Sequence, residues 1–296
     1  MSISRFLVRR INEAASDPKH VRVRYASIWT TGDPMSKVLS KDGTSIAFDK
    51  FGQGESLILV DGALCSRSFG PLPKLAQLLA PHFTVFHYDR RGRNESGDNA
   101  PYAVQREVED IEALIEEAGG SASVFGISSG AALALAAAAS RLNIKKLALY
   151  EPPFVAGRRK GRSAPPDSEA QLKRLIADGR RADAVKFFMV DMVGLPPIFV
   201  YIMRILPIWP KLKAVAHTLP YDAAVLGDFS LPKERAASVA VPTIVIAGEK
   251  SPVELRSAVD AVADAIPGAK RQILKGQTHN VSVKVLAPVL IDFFAA

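Results

Sequence analysis

Short apolar segments alternate with helical patterns along most of this 296-residue chain, and this alternation limits the possible folds more than any other feature. Five segments have the composition of strands buried on both faces, namely residues 56–60, 84–88, 122–125, 146–150 and 243–247. Helical patterns at 71–79, 107–118 and 130–139 lie among them. The alternation predicts an α/β fold, in which helices cover both faces of a doubly wound, mostly parallel sheet.

The pattern changes between residues 152 and 231. Four consecutive helical patterns, at 167–178, 182–193, 197–206 and 211–226, replace the strands. We therefore predict a core formed by residues 35–151 and 232–296, with an all-helical cap, residues 152–231, inserted between two strands. Most aromatic and methionine side chains of this cap are expected to pack against the core, and a few to line a pocket.

Residues 1–34 are predicted to be a peripheral N-terminal extension. They are rich in arginine and lysine, but they lack the long apolar stretch of an export signal or a membrane span. We therefore expect a cytoplasmic protein without stable membrane insertion.

Charge and cysteine content exclude some classes of function. The net charge is +8, but the only dense basic run, from Arg158 to Arg162, contains no aromatic residues that could stack on bases. A solvated loop is the preferred interpretation, and no nucleic acid partner is expected. Cys65 is the only cysteine, so no disulfide can form within the chain.

Residues 124–130 have the sequence VFGISSG, in which a short strand enters a Gly-x-Ser-x-Gly turn before an alanine-rich helix. An enzyme that attacks a carbonyl with serine must hold the hydroxyl on a sharp turn of this kind, and Gly126 and Gly130 give the turn room. Ser128 is therefore the candidate nucleophile. The alternative is an ordinary helix N-cap built from glycine and serine.

Four segments in the same order resemble the α/β-hydrolase superfamily over residues 38–294. Besides the turn at 126–130, they are LILVDGA at 57–63, YDRRGRNESG at 88–97, and VPTIVIAG at 241–248 with LKGQTH at 274–279. Asp61 departs from the family pattern because it replaces the histidine of a His-Gly pair, and Asn94 replaces a glycine. The resemblance implies the α/β-hydrolase fold and serine chemistry that uses no cofactor and no metal.

A serine hydroxyl is a weak nucleophile at neutral pH, so a base must accept its proton. Among five histidines, His279 fits best, because it follows an apolar strand and comes after Ser128 in the order serine, acid, histidine. His217, in the predicted cap, is the reserve candidate.

The acid is where the sequence departs most from the family. The strand ending at Gly248 is usually followed by an aspartate, but Ser251 occupies that position and cannot supply the charge that stabilises an imidazolium. Glu151 is the preferred substitute because it ends the 146–150 strand at the same sheet edge, as in the pancreatic-lipase branch of the superfamily. A purely structural role for Glu151 is the competing interpretation, and the alternative acids are Glu249, Asp228 and Asp61.

By analogy with the family, the backbone N–H groups of Ala63 and Ser129 are expected to form the oxyanion hole. Leu64 replaces Ala63 if the loop is shifted by one residue. A bare carboxylate on Asp61 would oppose the oxyanion, so its side chain is expected to bond to a backbone group or to an arginine of the 90–93 turn. Cys65 is interpreted as a pocket-wall residue.

The resemblance predicts a carboxylesterase-like serine hydrolase that cleaves an ester or related acyl bond. The apolar composition of the predicted cap indicates a small to medium hydrophobic substrate. Lactonase, perhydrolase and carbon–carbon hydrolase activities on the same scaffold are alternatives, and so is a non-catalytic ligand-binding relative. Branches with an aspartate nucleophile, the haloalkane dehalogenases and epoxide hydrolases, are disfavoured. We expect a monomer or homodimer that acts on a small molecule.

Overall fold

The computed structural model describes residues 36–155, 165 and 167–296. The predicted extension at 1–34 and the basic run from Arg158 to Arg162 lie outside the described residues. Within the described part, eight strands form one sheet. The strands are β1 (Ser36–Leu39), β2 (Ser45–Phe51), β3 (Ser56–Val60), β4 (Thr84–Tyr88), β5 (Ala122–Ile127), β6 (Ile144–Tyr150), β7 (Thr243–Gly248) and β8 (Lys270–Leu274).

The strand order is β1-β2-β4-β3-β5-β6-β7-β8. β1 and β2 pair antiparallel, β2 pairs antiparallel with β4, and every later pairing is parallel. All five strands predicted from apolar segments are present. The mostly parallel sheet predicted from the alternation is therefore confirmed.

Helices cover both faces of the sheet, which explains why its strands are continuously apolar. In β3, for example, Ile58 and Val60 face one buried cluster, while Leu57 and Leu59 face the other. The helices are α1 (Leu72–Leu79), α2 (Val104–Glu117), α3 (Ser129–Ala139), α4 (Ser168–Ala177), α5 (Arg181–Phe187), α6 (Pro197–Arg204), α7 (Ile208–Ala214), α8 (Leu219–Leu226), α9 (Lys233–Ala237), α10 (Val253–Ala265) and α11 (Val283–Ala295). The side chains of α1 and α11 join the cluster of Leu57, and those of α2, α3 and α10 join the cluster of Ile58.

Helices α4 to α8 lie between β6 and β7 and are called the helical insertion below. Two of its predicted helices are interrupted. The helical pattern at 211–226 breaks after Ala214, where a 3-10 turn precedes α8, and Pro220 lies in the first turn of α8, a position proline tolerates. The pattern at 182–193 forms α5 and then a π-helical turn, Phe188–Met192.

The sheet order creates a crevice at the carboxyl ends of β3 and β5. From β3 the chain continues to β4 on one side, whereas from β5 it continues to β6 on the other side. Where the connections of two neighbouring strands leave in opposite directions, the loops that follow the strands diverge. Ligands bind in the crevice between such loops. Ser128 directly follows β5, and Ala63 lies in the loop after β3.

Candidate active site

Ser128 occupies a strained turn between β5 and α3. Its backbone has φ 57° and ψ −124°, a conformation uncommon for residues other than glycine. The two flanking glycines make the turn possible: a Cβ on Gly126 would lie 2.4 Å from the carbonyl oxygen of Gly130, and a Cβ on Gly130 would lie 2.3 Å from that of Val60. The turn therefore requires glycine at both positions and leaves Ser128 half-buried.

Glu151 follows the neighbouring strand, β6, and is completely buried. Its backbone also has a positive φ of 46°, and its N–H donates to the carbonyl oxygen of Ile246 at 3.0 Å. The backbone N–H of Gly248, at the end of β7, donates to Oε1 of Glu151 at 2.7 Å. This hydrogen bond fixes Oε1 at the sheet edge, so Oε2 is the oxygen that can contact another side chain.

The loop that carries His279 is attached to the same edge of the sheet. The Tyr150 hydroxyl donates to the carbonyl oxygen of Thr278 at 2.7 Å, and the N–H of Lys250 donates to that of Gln277 at 2.8 Å. The loop also passes so close to Gly248 that a Cβ there would lie 2.6 Å from the Gln277 carbonyl. These contacts fix the backbone on which the imidazole is mounted.

His279 and Glu151 are in direct contact, with 2.6 Å between Nδ1 of the imidazole and Oε2 of the carboxylate. A carboxylate at this position favours the tautomer that carries its proton on Nδ1, which leaves Nε2 free to accept a proton. The His279 side chain is 42% exposed, whereas that of Glu151 is fully buried. Within the described residues, the Ser128 hydroxyl makes no hydrogen bond, and such contacts often form only with substrate bound.

The alternative acids predicted from the sequence do not contact His279. Glu249 accepts the N–H of Gly276 at 2.8 Å, and Asp228 accepts that of Ser230 at 2.8 Å, both at exposed positions. Asp61 is buried, and its Oδ2 lies 2.7 Å from Nε2 of His87. The expectation that the Asp61 side chain bonds to a backbone group or an arginine is therefore wrong.

The reserve base, His217, lies in the 3-10 turn of the helical insertion. Its buried Nδ1 has no hydrogen-bond partner in the described part of the chain. None of the contacts there link it to Ser128. The structure thus brings His279, and not His217, together with a carboxylate.

The loop after β3 passes beside Ser128. A Cβ on Gly62 would lie 3.2 Å from Cβ of Ser128. Across the residues that the structure describes, the N–H groups of Ala63 and Ser129 donate no hydrogen bonds to protein acceptors, so both are free to bind a ligand. Leu64, the alternative donor, has a positive φ of 62°.

Arg93 holds this loop from the other side. Its Nη1 donates to the carbonyl oxygen of Gly62 at 2.7 Å and to that of Cys65 at 2.9 Å. Burial raises the pKa of the Cys65 thiol to about 12, so this side chain is protonated and is a poor nucleophile.

A buried charge network beneath the site is absent from the sequence predictions. Asp222 of α8 accepts hydrogen bonds from Arg90 at 2.7 Å, from Arg93 at 2.9 Å and from the hydroxyl of Ser129 at 2.8 Å. Arg90 also forms a two-point ion pair with Glu107. Burial opposes the ionised form of Asp222, but Arg93 and Arg90 outweigh this effect and lower its pKa.

Only part of this network has a sequence signal. The three arginines at 90, 91 and 93 follow an apolar strand, so their burial implies carboxylate partners. Nothing in the pattern of α8 distinguishes its aspartate from a solvated one. Among the described residues, no group of three or more histidine, cysteine, aspartate or glutamate side chains is arranged to hold a metal ion.

Residues 27–285 match the sequence profile of the α/β-hydrolase family. No functionally curated protein matches the sequence significantly. The fold is similar to that of an α/β hydrolase from Sphaerobacter thermophilus, with 50% sequence identity and a TM-score of 0.83 over 88% of this chain and 100% of the other.

Two more distant structures share the fold. An esterase from Thermogutta terrifontis has 19% identity and a TM-score of 0.68 over 88% of this chain and 98% of its own. An enol-lactonase from Burkholderia xenovorans has 21% identity and a TM-score of 0.64 over 89% of this chain and 100% of its own. These two similarities concern the fold alone.

Proposed function

The chain belongs to the α/β-hydrolase family, and we propose that it is a cofactor-independent serine hydrolase that cleaves an ester or related acyl bond. In this proposal, Ser128 is the nucleophile, His279 the general base and Glu151 the acid that orients the base. The backbone N–H groups of Ala63 and Ser129 bind the oxyanion.

The contact between Glu151 and His279 carries the proposal. Burial of a carboxylate costs free energy unless the group is paired, and the partner of the fully buried Glu151 is the His279 imidazole. Such a costly arrangement indicates a function for the pair. Stabilisation of the imidazolium that forms during proton transfer is such a function. The sheet supports the arrangement, because Glu151 and Ser128 follow adjacent strands, β6 and β5.

The reaction follows from these positions. The Ser128 oxygen attacks the substrate carbonyl carbon while its proton passes to Nε2 of His279, and the two backbone N–H groups stabilise the negative oxygen. The carbon–oxygen bond to the alcohol then breaks, and the alcohol leaves with the proton from His279. Water, deprotonated by His279, releases the acid from the acyl-enzyme in a second, equivalent cycle.

The apolar interior of the helical insertion supports a small to medium hydrophobic substrate. Its buried side chains include Phe187, Phe188 and Met192. A series of p-nitrophenyl esters from acetate to octanoate tests this, because an apolar pocket gives a kcat/KM that rises with chain length before it falls.

Removal of the nucleophile tests the proposal directly. Ser128→Ala should lower the kcat for p-nitrophenyl butyrate by at least about 10⁴-fold, since loss of a serine nucleophile removes the covalent route. The wild-type chain should be labelled by a fluorophosphonate probe at Ser128. Ser140→Ala, at the exposed end of α3, is the matched control and should keep full activity. Undiminished turnover in Ser128→Ala would overturn the proposal, and a folded wild-type chain that resists the probe would indicate a non-catalytic ligand-binding protein.

A further inference from the structure

The helical insertion carries an exposed apolar surface that the proposed chemistry does not use. Of the twelve large hydrophobic residues that are exposed in the described part of the chain, seven lie between positions 193 and 206. They are Val193, Ile198, Phe199, Tyr201, Ile202, Ile205 and Leu206. We call this set the apolar patch.

Helix α6 supplies most of the apolar patch and is unusual for a surface helix. Val200 is its only buried residue, and Met203 is half-buried, so a narrow stripe attaches the helix to the protein. The remaining sides are also apolar, with Ile198 60% exposed and the following Ile205 84% exposed. A helix that is apolar on all sides is normally covered. Continuous exposed apolar surface of this kind marks an interaction site.

Basic residues outnumber acidic ones in the segment that carries the apolar patch. Residues 180–213 contain six lysines and arginines but only two aspartates, and no charge interrupts residues 192–203. The Arg204 guanidinium lies 5.7 Å from the ring centre of Tyr201 and 5.5 Å from that of Trp209. Arg180, Arg181 and Lys213 line an open surface depression of about 500 Å³. Asp183 pairs with Arg180 at 2.9 Å and lies 3.9 Å from Arg204, so it offsets part of this positive charge. The remaining positive charge favours an occupant that is apolar where it meets the patch and negatively charged beside it.

We propose that the apolar patch binds to the surface of an anionic lipid bilayer. The isoleucine and phenylalanine side chains of α6 enter the acyl boundary, while Arg204, Lys211 and Lys213 contact headgroup phosphates. Helix α6 has eight residues, far fewer than a membrane span needs. In the part of the chain that the structure describes, no helix combines the length and the apolar composition needed to cross a bilayer. The contact is thus interfacial.

The charge of residues 180–213 favours a lipid surface over a second copy of the chain as the occupant of the apolar patch. A symmetric dimer through the apolar patch would bring together two copies of residues 180–213, each with six basic and two acidic residues, and this excess of like charge opposes association. Anionic phosphates supply the complementary charge. Binding of the lipid surface would also weaken as salt rises, because the charge contribution is screened.

Vesicle sedimentation tests the proposal without reference to hydrolysis. The full chain should bind vesicles of phosphatidylcholine and phosphatidylglycerol in a 3:1 ratio and bind pure phosphatidylcholine far more weakly. Ile198→Ser/Ile202→Ser/Ile205→Ser and Arg204→Gln/Lys211→Gln/Lys213→Gln should each weaken binding by about tenfold or more, because each removes one of the two contributions. Leu39→Ser, at a 70% exposed position on β1, is the matched control and should bind like the wild type.

Two results would overturn the proposal. One is that the wild-type chain does not bind the anionic vesicles, or that the serine and glutamine variants bind them as tightly as the wild type does. The other is a concentration-dependent dimer that the triple serine variant abolishes, because the apolar patch would then join two copies. Ile205→Ser alone, at the most exposed position, provides a variant whose folding does not depend on the lost side chain.

Discussion

The hydroxyl of Ser129 donates a 2.8 Å hydrogen bond to Oδ1 of Asp222, which lies 93 positions further along the chain, in the helical insertion. The same carboxylate is paired with Arg93, whose other nitrogen holds the carbonyl groups of Gly62 and Cys65. One buried aspartate therefore connects the insertion to both segments that supply the proposed oxyanion donors.

Asp222→Asn should destabilise the fold in a pH-dependent manner. Arg93 and Arg90 lower the pKa of Asp222 below its ordinary value of 3.8, so the stabilisation by its ionised form is fully present above about pH 4. It is lost as the pH falls through the lowered pKa. At pH 7 the variant should lose about 3 kcal/mol of unfolding free energy, because buried cations lose their partner. The difference from the wild type should shrink in acid. Urea unfolding at several pH values measures both quantities.

Asp183→Asn is the matched control for this prediction. Asp183 also pairs with an arginine in the insertion, Arg180, but the two side chains are 42% and 58% exposed. Its loss should change stability by less than about 1 kcal/mol at any pH. An Asp222→Asn difference that stays constant from pH 7 into acid would contradict the assignment of the ionised carboxylate.

Arg93 is expected to position the oxyanion loop. Arg93→Lys keeps the charge, but its single nitrogen cannot serve both the loop carbonyl groups and Asp222, which Nη1 and Nη2 of the guanidinium bind separately. We expect kcat to fall by about ten- to a hundredfold while KM changes little, since misalignment of an oxyanion donor should cost less than its complete loss, which lowers kcat by about a hundred- to a thousandfold. Steady-state kinetics with p-nitrophenyl butyrate measure kcat and KM separately.

Arg106→Lys is the corresponding control, because Arg106 forms a more exposed ion pair with Glu109 on α2. It should leave kcat unchanged. If Arg93→Lys lowered only the melting temperature and left kcat intact, the arginine would have a structural role alone.

The sequence predicts the sheet well because buried parallel strands need continuous apolar residues, and each predicted strand has them. It also predicts the position of Glu151, because the end of a parallel strand defines a sheet edge. Contacts between distant segments are different. Asp61 lies beside His87 because β3 and β4 are neighbours, with Leu59 opposite His87, and that order is not encoded locally.

The helical insertion shows the same limit. Apolar periodicity predicts helices there, but the break between α7 and α8 and the π-helical turn after α5 depend on packing. Asp222 has no local signal at all, because its partners come from the turn after β4 and from α3. Sequence periodicity locates elements, whereas buried charge pairs are determined by the assembled fold.

Replacement of Glu151 by its amide tests the acid role. Glu151→Gln keeps the size of the side chain and can still accept the N–H of Gly248 through its amide oxygen, but it removes the negative charge and no longer enforces the Nδ1 proton of His279. We expect kcat to fall by about 10⁴-fold, as when other serine hydrolases lose their acid to an amide. Glu249→Gln, at an exposed carboxylate near the same loop, should remain active. A change confined to melting temperature would leave Glu151 with a structural role.

Ser251 offers a sharper test, because it occupies the position at which the family usually carries its aspartate. It is 4% exposed, its hydroxyl has no partner among the described residues, and its N–H donates to the Gly248 carbonyl at 3.1 Å, next to the site of Glu151. In the Glu151→Gln background, Ser251→Asp should raise kcat by about tenfold or more, because a carboxylate at this edge can again stabilise the imidazolium. Ser251→Asn in the same background should give no recovery. Equal recovery of kcat by Ser251→Asp and Ser251→Asn would show that the site does not require a charge at this position. If both variants fold and neither recovers kcat, the acid acts only from β6.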